Sequence, residues 1–399
     1  MQFDKVFIPY GAYWSTPFCK WQGSFAGLHP IPFAAEVGAR ALAERKIPPG
    51  VIDGMCLGMT VPCRGAFYGA PWLAGLMGLA AVTGPNIGQA CATSVRCLVT
   101  GAEEVTTGGA AVFLAMAADR TSNGPHIYYP DPSGPGGTGQ KEDWVLDNFG
   151  GDPFAGKAMI ETAELTAAEA KIDRAAQDEV ALLRSRQYQR ALAGDRAFQK
   201  RVLLSPVPVK NPRGKVVANV PTDEGVFPTT AEGLAKLSPV IAGGTVTYGT
   251  QTFPADGSAG LVVTTEDRAR ELSRDPAISV RLVSYAQARL GKGRMPMANV
   301  PASRLALSRA GITLKDVAAI TSHTPFAVND VYFCREMGLP IDAMNRYGCS
   351  LVWGHPQAPT GLRGIMELIE ELAILGGGYG LFTGCAAGDT AAALVVRVG

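Results

Sequence analysis

A short internal repeat limits the architectures open to this chain more than any other pattern in it. GGAAVFLAM at 108–116 and GGYGLFTGC at 377–385 share a glycine pair and a phenylalanine at a constant offset of 269 positions. Each segment follows a turn and a stretch of apolar residues at helical spacing. We therefore expect two similar halves, each built from a turn, a helix and a buried strand.

The composition is that of a folded globular protein without a strong charge bias. Hydrophobic residues make up 47% and charged residues 18% of the 399 positions, which excludes a disordered or collagen-like chain. The 36 Lys and Arg nearly equal the 35 Asp and Glu, so no overall field favours nucleic acid or an anionic membrane. No apolar run reaches the about 18 residues of a membrane span, and the N-terminal residues do not resemble a signal peptide. We expect a cytoplasmic protein with no nucleic-acid or membrane partner.

The order of apolar and turn-forming segments predicts an α/β fold interrupted by one long insertion. Strands are expected at 4–8, 51–57, 110–115, 260–264 and 317–321. Helices are expected at 32–45, from about 93 to 107, at 168–193 and at 362–373. Residues 121–156 show no regular spacing of apolar residues, as expected for a long loop that runs over the surface. The expected domains are an N-terminal half (1–119 with 250–273), an inserted loop domain (120–249) and a C-terminal half (274–399).

Two of the eight cysteines lie where a thiol can react. Cys91 lies at a predicted strand-to-helix turn, where the helix N-terminus favours the thiolate and lowers the thiol pKa. Cys385 follows a strand and precedes Ala-Ala-Gly-Asp, a turn small enough for backbone amides to approach a ligand. A buried structural cysteine is the alternative at both positions. No C-x-x-C pair is present, so neither a zinc ribbon nor a thioredoxin motif is indicated.

Two of the four histidines also lie at predicted strand ends or turns. His323 follows the strand at 317–321, and His355 forms a Gly-His-Pro turn before a helix. Together with the two cysteines they suit covalent catalysis, in which one thiolate attacks, a histidine activates it and a second thiol handles protons. Metal binding and redox chemistry are the alternatives. Because these four positions contain no closely spaced ligand pair, we expect no metal site.

Five segments in order resemble the thiolase superfamily and together extend over most of the chain. They are GQACATSV, DRAAQDEVALLRSRQYQRAL, LAKLSPVIAGGTVTYGTQTFPADGSAGLVV, NRYGCSLVWGHPQAPTGLRGIMELIEEL and LFTGCAAGDTAAALVV. The resemblance implies a five-layered αβαβα fold of two similar halves, with a loop domain inserted in the first half.

The resemblance also implies roles for the candidate residues. Cys91 would be the nucleophile that carries the acyl group as a thioester, His355 its activating partner, and Cys385 the acid/base at the substrate α-carbon. His323 falls where many thiolases have an asparagine that holds a catalytic water, and a histidine there resembles the sterol-carrier-type thiolases. The backbone N–H groups of Cys91 and Ala387 would bind the thioester oxygen.

The activity implied by the resemblance is CoA-dependent thiolytic cleavage of a 3-oxoacyl-CoA. CoA would be a cosubstrate with no tightly bound cofactor, and Ser258 and Ala387 would be cofactor-binding positions. The departures from the family motifs cluster at the acyl pocket. Cys91-Ala-Thr-Ser94 replaces Cys-x-Ser-Gly, and Thr324 and Pro325 replace Glu-Ala. We therefore expect a bulky, branched or aromatic acyl group rather than acetoacetyl-CoA.

Two other functions remain open on the same fold, a condensing enzyme of the ketosynthase kind and a non-catalytic thiolase-like subunit. Ketosynthases use a Cys-His-His set, so the presence of Cys385 favours a thiolase. Thiolases are usually dimers or tetramers of dimers, so the resemblance implies a homodimer or a larger assembly. Some members of the histidine type need a small zinc-ribbon/OB-fold protein, which is a further candidate partner here.

Overall fold

A computed structural model describes residues 1–399, and its helices and strands fall into three successive stretches of chain. The first comprises β1 (Tyr13–Ser15), β2 (Cys19–Lys20), α1 (Pro30–Glu44), β3 (Gly54–Gly58), α2 (Gly69–Leu76), β4 (Asn86–Ile87), α3 (Thr93–Thr107) and β5 (Val112–Arg120). The second comprises β6 (His126–Pro130), β7 (Gly139–Asp143), α4 (Leu146–Gly150), α5 (Met159–Glu169), α6 (Arg174–Arg196), α7 (Gln199–Val202), β8 (Val207–Lys210), β9 (Val216–Val220) and α8 (Ala231–Ala235). The third comprises β10 (Ala255–Thr264), α9 (Glu266–Leu272), β11 (Val280–Arg289), α10 (Asn299–Ala310), β12 (Val317–His323), α11 (Ala327–Met337), α12 (Ser350–Trp353), α13 (Thr360–Ile374), β13 (Gly378–Ala386) and β14 (Thr390–Val398).

Two central sheets carry the two halves of the fold. A six-stranded sheet has the order β1-β10-β5-β3-β4, with β2 also paired to β10, and a four-stranded sheet has the order β11-β14-β13-β12. In the first sheet β5 is parallel to β3 and antiparallel to β10. In the second sheet β13 is parallel to β12 and antiparallel to β14. The two glycine-pair segments therefore lie on equivalent strands, as the internal repeat predicts.

Helices α3 and α13 form the layer between the two sheets and pack against each other. The chain leaves α3 through Gly108, whose φ of 77° is in the left-handed region that glycine adopts without strain. Every residue of α13 from Thr360 to Leu372 is buried, because sheets or helices cover it on all sides. The largest apolar core joins side chains of both helices to both sheets.

The outer faces of the sheets are covered by further helices. Apolar residues of α1 and α2 pack on the first sheet, and those of α10 and α11 pack on the second. The layers thus alternate as α, β, α, β, α, which is the five-layered αβαβα architecture that the sequence predicts. None of the helices combines the length and the apolar character that a membrane crossing requires.

The stretch between β5 and β10 contributes no strand to either central sheet. It forms two separate hairpins, β6-β7 and β8-β9, together with helices α4 to α8. Buried ion pairs attach it to the second half: Arg184 contacts Asp330 at 2.8 Å, and Asp223 contacts Arg363 at 2.6 Å. Since each charge lies against its partner, the desolvation cost of burial is offset locally.

Most of the expected elements are present, but two predictions were wrong. The polar helix expected at 168–193 is divided between α5 and α6, because the Asp173 side chain accepts from the Ala176 N–H and begins a new helix. The segment 4–8 is not a strand, and Phe7 forms only isolated bridges to Thr264 and Arg281. Apolar periodicity alone could not distinguish this covering segment from a paired strand.

Candidate active site

The four side chains singled out in the sequence converge at the carboxyl ends of strands. His323 ends β12, and Cys385 lies near the end of the neighbouring parallel strand β13. His355 follows α12, and Cys91 lies in a single 3-10 turn (Ala90–Ala92) between β4 and α3. Ala90 has a φ of 43°, a strained value for a residue with a Cβ, and such strain is concentrated at functional sites. The carboxyl ends of parallel strands are where α/β proteins form their sites.

Cys91 and His355 form a thiol–imidazole pair. The Nε2 atom of His355 lies 3.2 Å from the Cys91 sulfur, and its Nδ1 atom lies 2.7 Å from the Thr360 hydroxyl. When Nε2 accepts the thiol proton, Nδ1 carries the ring hydrogen and donates it to Thr360. In this tautomer the Thr360 hydroxyl accepts from Nδ1, and Nε2 can take a proton from Cys91.

His323 lies beside this pair and presents a free nitrogen. Its ring centroid lies 4.1 Å from that of His355, and its Nδ1 atom lies 2.9 Å from the Ser350 hydroxyl. Its Nε2 atom is buried without a hydrogen-bond partner. A buried polar atom with no protein partner is a position where a ligand or an ordered water binds.

The second thiol, Cys385, is fully buried and has one side-chain donor. The Nδ2 atom of Asn329, in the first turn of α11, donates to the Cys385 sulfur at 3.1 Å. The Oδ1 atom of Asn329 has no partner. An amide donor stabilises the charged form of a thiol more than the neutral form, so this contact favours proton release from Cys385.

Burial dominates the electrostatics of the site. Desolvation raises the pKa of the Cys91 thiol to about 11, although the backbone N–H groups of Ala387 and Cys91 act in the opposite direction. Burial also raises the pKa of Cys385, with the neighbouring Cys91 as the next cause. It lowers the pKa of His323 to about 3, and burial together with His323 lowers the pKa of His355 well below its ordinary value. The resting pair is thus a neutral thiol and a neutral imidazole at neutral pH.

This electrostatic result corrects the prediction of a lowered Cys91 pKa. The helix N-terminus and its N–H groups do favour the thiolate, as the sequence suggests. Removal of water from the sulfur outweighs them in the folded chain. Because solvent access depends on the packing of both halves, a local turn pattern cannot predict it.

The two predicted cofactor-binding positions have different surroundings. The N–H of Ala387 faces the Cys91 sulfur, where it can reach an oxygen on the carbon attached to that sulfur. Ser258 instead lies inside β10, with no exposed surface, and its hydroxyl donates to the Ala117 carbonyl oxygen at 3.0 Å. This placement argues against the predicted contact of Ser258 with CoA, because the neighbouring strand β5 already occupies its hydroxyl.

Asp119, near the end of β5, connects the two halves beneath the site. Its carboxylate accepts from the N–H groups of Thr60 and Val61, from the Thr60 hydroxyl and from the N–H of Ala358 in the His355 loop. Burial raises its pKa to about 7, against the effect of these donors. Asp119 is a positioning residue, because it fixes the loop that carries His355.

Three of the site's residues also have the types and spacing of metal ligands. Cys91, His323 and His355 each offer one ligand atom, and these atoms lie within 4.8 Å of one another. The sequence indicates no metal site because these positions are far apart in the chain. The fold nevertheless brings them together.

Sequence reasoning missed several residues that shape the site. Asn329, Ser350 and Thr360 carry no motif of their own, and only their contacts with the four candidate residues identify them. Asp119 had a recognisable signal, since it is the acidic residue at the carboxyl end of a predicted buried strand. Polar residues at that edge of a sheet are good candidates in any α/β chain.

The layered fold and the thiol–imidazole pair define the class of thiol-dependent acyltransferases. Comparison with known proteins is consistent with this class. Residues 12–267 match the family model "Thiolase, N-terminal domain", and residues 277–398 match "Thiolase, C-terminal domain". The chain belongs to the thiolase family and is an acyltransferase.

Similar proteins span the whole fold. A 3-ketoacyl-CoA thiolase of Pseudoalteromonas atlantica is 30% identical, over 96% of this chain and 94% of its own length. An acetyl-CoA acetyltransferase of Rhizobium meliloti is 30% identical, over 94% of this chain and 95% of its own. The crystal structure of human mitochondrial 3-ketoacyl-CoA thiolase in complex with CoA superposes with a TM-score of 0.88 at 26% identity, covering 99% of this chain and 98% of that one.

Proposed function

We propose that this protein catalyses CoA-dependent thiolytic cleavage of a 3-oxoacyl-CoA, with Cys91 as the acyl carrier. The observation that carries the proposal is the 3.2 Å contact between Cys91 and His355, with the second thiol of Cys385 beside them. The names of the relatives support it, since they include 3-ketoacyl-CoA thiolases and one such structure binds CoA. Two thiols with different partners suit a reaction that has an acyl-transfer part and a proton-transfer part.

In the first half-reaction, His355 takes the Cys91 proton as the sulfur attacks the 3-oxo carbon of the substrate. The N–H groups of Cys91 and Ala387 face this sulfur and are placed to stabilise the oxyanion that forms. The bond between C2 and C3 then breaks, and its electron pair moves to C2 as the enolate of acetyl-CoA. Cys385 gives its proton to C2, so acetyl-CoA leaves while the acyl group stays on Cys91.

In the second half-reaction, the Cys385 thiolate accepts the proton of an incoming CoA thiol. The CoA sulfur attacks the acyl carbon, and the bond from that carbon to Cys91 breaks. His355 returns its proton to Cys91, which restores both thiols and the neutral imidazole. The amide of Asn329 stabilises the Cys385 thiolate between the two half-reactions, because it donates to this sulfur at 3.1 Å.

We further propose that the acyl group is bulkier than acetyl. A cavity of about 230 Å³ lies beside β4, the strand that leads into the Cys91 turn. Its lining is half apolar and comprises Met59, Thr60, Pro62, Ala66, Asn86, Ile87, Gly88 and Trp144. The apolar half of this lining, which includes Met59, Ile87 and Trp144, can bury the surface of a branched or aromatic group.

A condensing activity is the second candidate, because the site contains a Cys-His-His cluster. His323 and His355 lie with their ring centroids 4.1 Å apart beside Cys91, and such a set suits carbon–carbon bond formation. Cys385 distinguishes the two candidates, since a thiolase needs this second thiol for proton transfer at the α-carbon. The condensing direction is measured by giving the protein acyl-CoA thioesters without free CoA. The reaction is then analysed for a 3-oxoacyl-CoA product.

The test of thiolysis is a direct product assay. Purified protein given a 3-oxoacyl-CoA and free CoA should release two acyl-CoA products, and C91S should abolish their formation. C63S is the matched control, because Cys63 is a partly exposed free cysteine outside the site. Full turnover by C91S would overturn the role of Cys91. No turnover and no acylation of the wild-type chain with any acyl-CoA would favour a non-catalytic subunit.

We also propose the domain division and assembly that the sequence suggests. An inserted domain at 120–249 is supported by its separate hairpins, and halves at 1–119 with 250–273 and at 274–399 each contain one central sheet. A homodimer is supported by Phe67 and Tyr68, which are 91% and 67% exposed near the edge strand β4. Light scattering on the purified chain, with and without a zinc-ribbon/OB-fold partner, measures both assemblies.

A further inference from the structure

The catalytic centre contains a set of ligand atoms that meets the requirements of a metal site. The Cys91 sulfur and one ring nitrogen each of His323 and His355 lie within 4.8 Å of one another. Tetrahedral zinc holds sulfur and nitrogen ligands at separations of about 3.3–3.8 Å. The pair formed by Cys91 and His355, at 3.2 Å, is already close to this range. The cluster's separations, up to 4.8 Å, would shorten by about 1 Å around a bound ion.

A second observation is that a nitrogen in this cluster lacks any partner. His323 is 2% exposed, and its Nε2 atom is buried without a protein partner, on a ring whose plane is tilted by 36° from that of His355. Its other nitrogen is engaged by the Ser350 hydroxyl at 2.9 Å. Because burial without a partner is costly, this nitrogen is available for a ligand that accepts its lone pair.

The outer contacts of the two histidines also match those of metal ligands. Each Nδ1 atom is held by a hydroxyl, that of Ser350 for His323 and that of Thr360 for His355. When Nδ1 donates its hydrogen to the hydroxyl, Nε2 carries the lone pair that a metal binds. In His355 the nitrogen beside the Cys91 sulfur is Nε2, and in His323 Nε2 is the nitrogen that has no protein partner.

We propose that a thiophilic divalent cation, with Zn²⁺ as the reference ion, binds Cys91, His323 and His355 and inhibits the enzyme. Binding forms one metal–sulfur and two metal–nitrogen bonds, and the Cys91 proton is released to solvent. The fourth position stays open for water. Because the acyl group and the cation both bond to the Cys91 sulfur, occupation by one excludes the other. Cation binding depends on these side chains alone and goes beyond the thiolytic activity.

Spectroscopic titration of the whole chain tests the site. Co²⁺ added in place of Zn²⁺ should bind with one equivalent per chain and give a sulfur-to-cobalt charge-transfer absorption, which Zn²⁺ then abolishes. C91S should remove this absorption, and H323A, which removes a ligand, should weaken binding by at least the about tenfold to a hundredfold that loss of an outer contact costs. C63S should retain the wild-type titration, which shows that the signal does not come from an exposed thiol.

Any of three results would overturn the proposed metal site. The folded wild-type chain could show no charge-transfer absorption, the absorption could survive in C91S, or wild type and H323A could bind Co²⁺ with equal affinity. Acylation of Cys91 before the titration should prevent binding, and binding that persists after full acylation would also overturn the proposal. The absorption reports the bound metal directly, so a failure of the thiolysis assay does not affect this test. Inhibition of thiolysis by Zn²⁺, and its reversal by a chelator, is a separate measurement.

Discussion

The Nε2 atom of His355 lies 3.2 Å from the sulfur of Cys91, across 264 positions of sequence. Cys91 precedes α3 and His355 precedes α13, so the pair forms where these two buried helices begin. The Leu362 N–H donates to the Ser94 hydroxyl at 3.0 Å, and this hydrogen bond joins the first turns of the same two helices. The geometry of the pair therefore depends on the packing of one half of the fold against the other.

The first prediction concerns the protonation of this pair. Because the pKa of Cys91 is raised to about 11 and that of His355 is lowered, the thiol is neutral at neutral pH. Alkylation of Cys91 by iodoacetamide, followed by intact mass, should be slow at neutral pH and should accelerate steadily with rising pH, since only the thiolate reacts. A rate already at its plateau at neutral pH would show a thiolate–imidazolium pair instead. Acyl-CoA should protect the residue, and C91S is the blank.

The second prediction concerns Asn329 as a positioning residue for Cys385. N329D keeps the shape and removes the amide donor, so proton exchange at the α-carbon of acetyl-CoA should slow by about tenfold to a hundredfold. Alkylation of Cys91 by iodoacetamide, measured by mass, should change little because it does not use Cys385. The matched control is N299A, since Asn299 is a buried asparagine with an unpartnered Oδ1 outside the site. Equal loss in both steps would show a general structural defect instead.

The third prediction concerns Asp119, whose carboxylate accepts from Ala358 and from the Thr60–Val61 turn. D119N leaves one acceptor oxygen for these donors, so the free energy of unfolding should fall by about 1–3 kcal/mol. The activity should fall further than stability alone explains, because the His355 loop loses its anchor. Denaturant unfolding and kcat measure the two effects.

The control for Asp119 is D53N. Asp53 also accepts two backbone N–H groups, those of Ala111 and Val112, but it does so at an exposed strand end. A similar loss of stability with unchanged activity is expected there. Wild-type activity in D119N would contradict the positioning role.

The fold was predictable from the sequence where local signals and packing agree. Helix α3 ends at Gly108, and α13 ends just before Gly376, as their glycines indicate. The two glycine-pair segments occupy equivalent positions in the two central sheets, because each one follows a helix of the central layer. The segment 4–8 looked equally apolar, but it covers the sheet edge without forming a ladder. Whether a short apolar segment pairs with a strand of a sheet depends on residues that lie far away in the chain.

The site was predictable only as a set of residue types. Cys91, His323, His355 and Cys385 were identified by turns and strand ends, and the structure brings them into one region. The direction of the Cys91 pKa shift and the donor from Asn329 depend on three-dimensional burial. The contact of Ser258 with CoA stays a prediction, and the sequence could not show that its hydroxyl donates to the Ala117 carbonyl oxygen of the paired strand.

The last prediction concerns acyl size. A66F should fill the cavity beside β4, because Ala66 lines it together with Met59 and Trp144. If this cavity holds the acyl group, kcat/KM for branched or aromatic 3-oxoacyl-CoA should fall by about tenfold or more, while acetoacetyl-CoA should be affected little. The control A81F adds the same side chain at an exposed position. Equal losses for small and bulky substrates would show that the acyl group lies elsewhere, since a filled pocket discriminates by size.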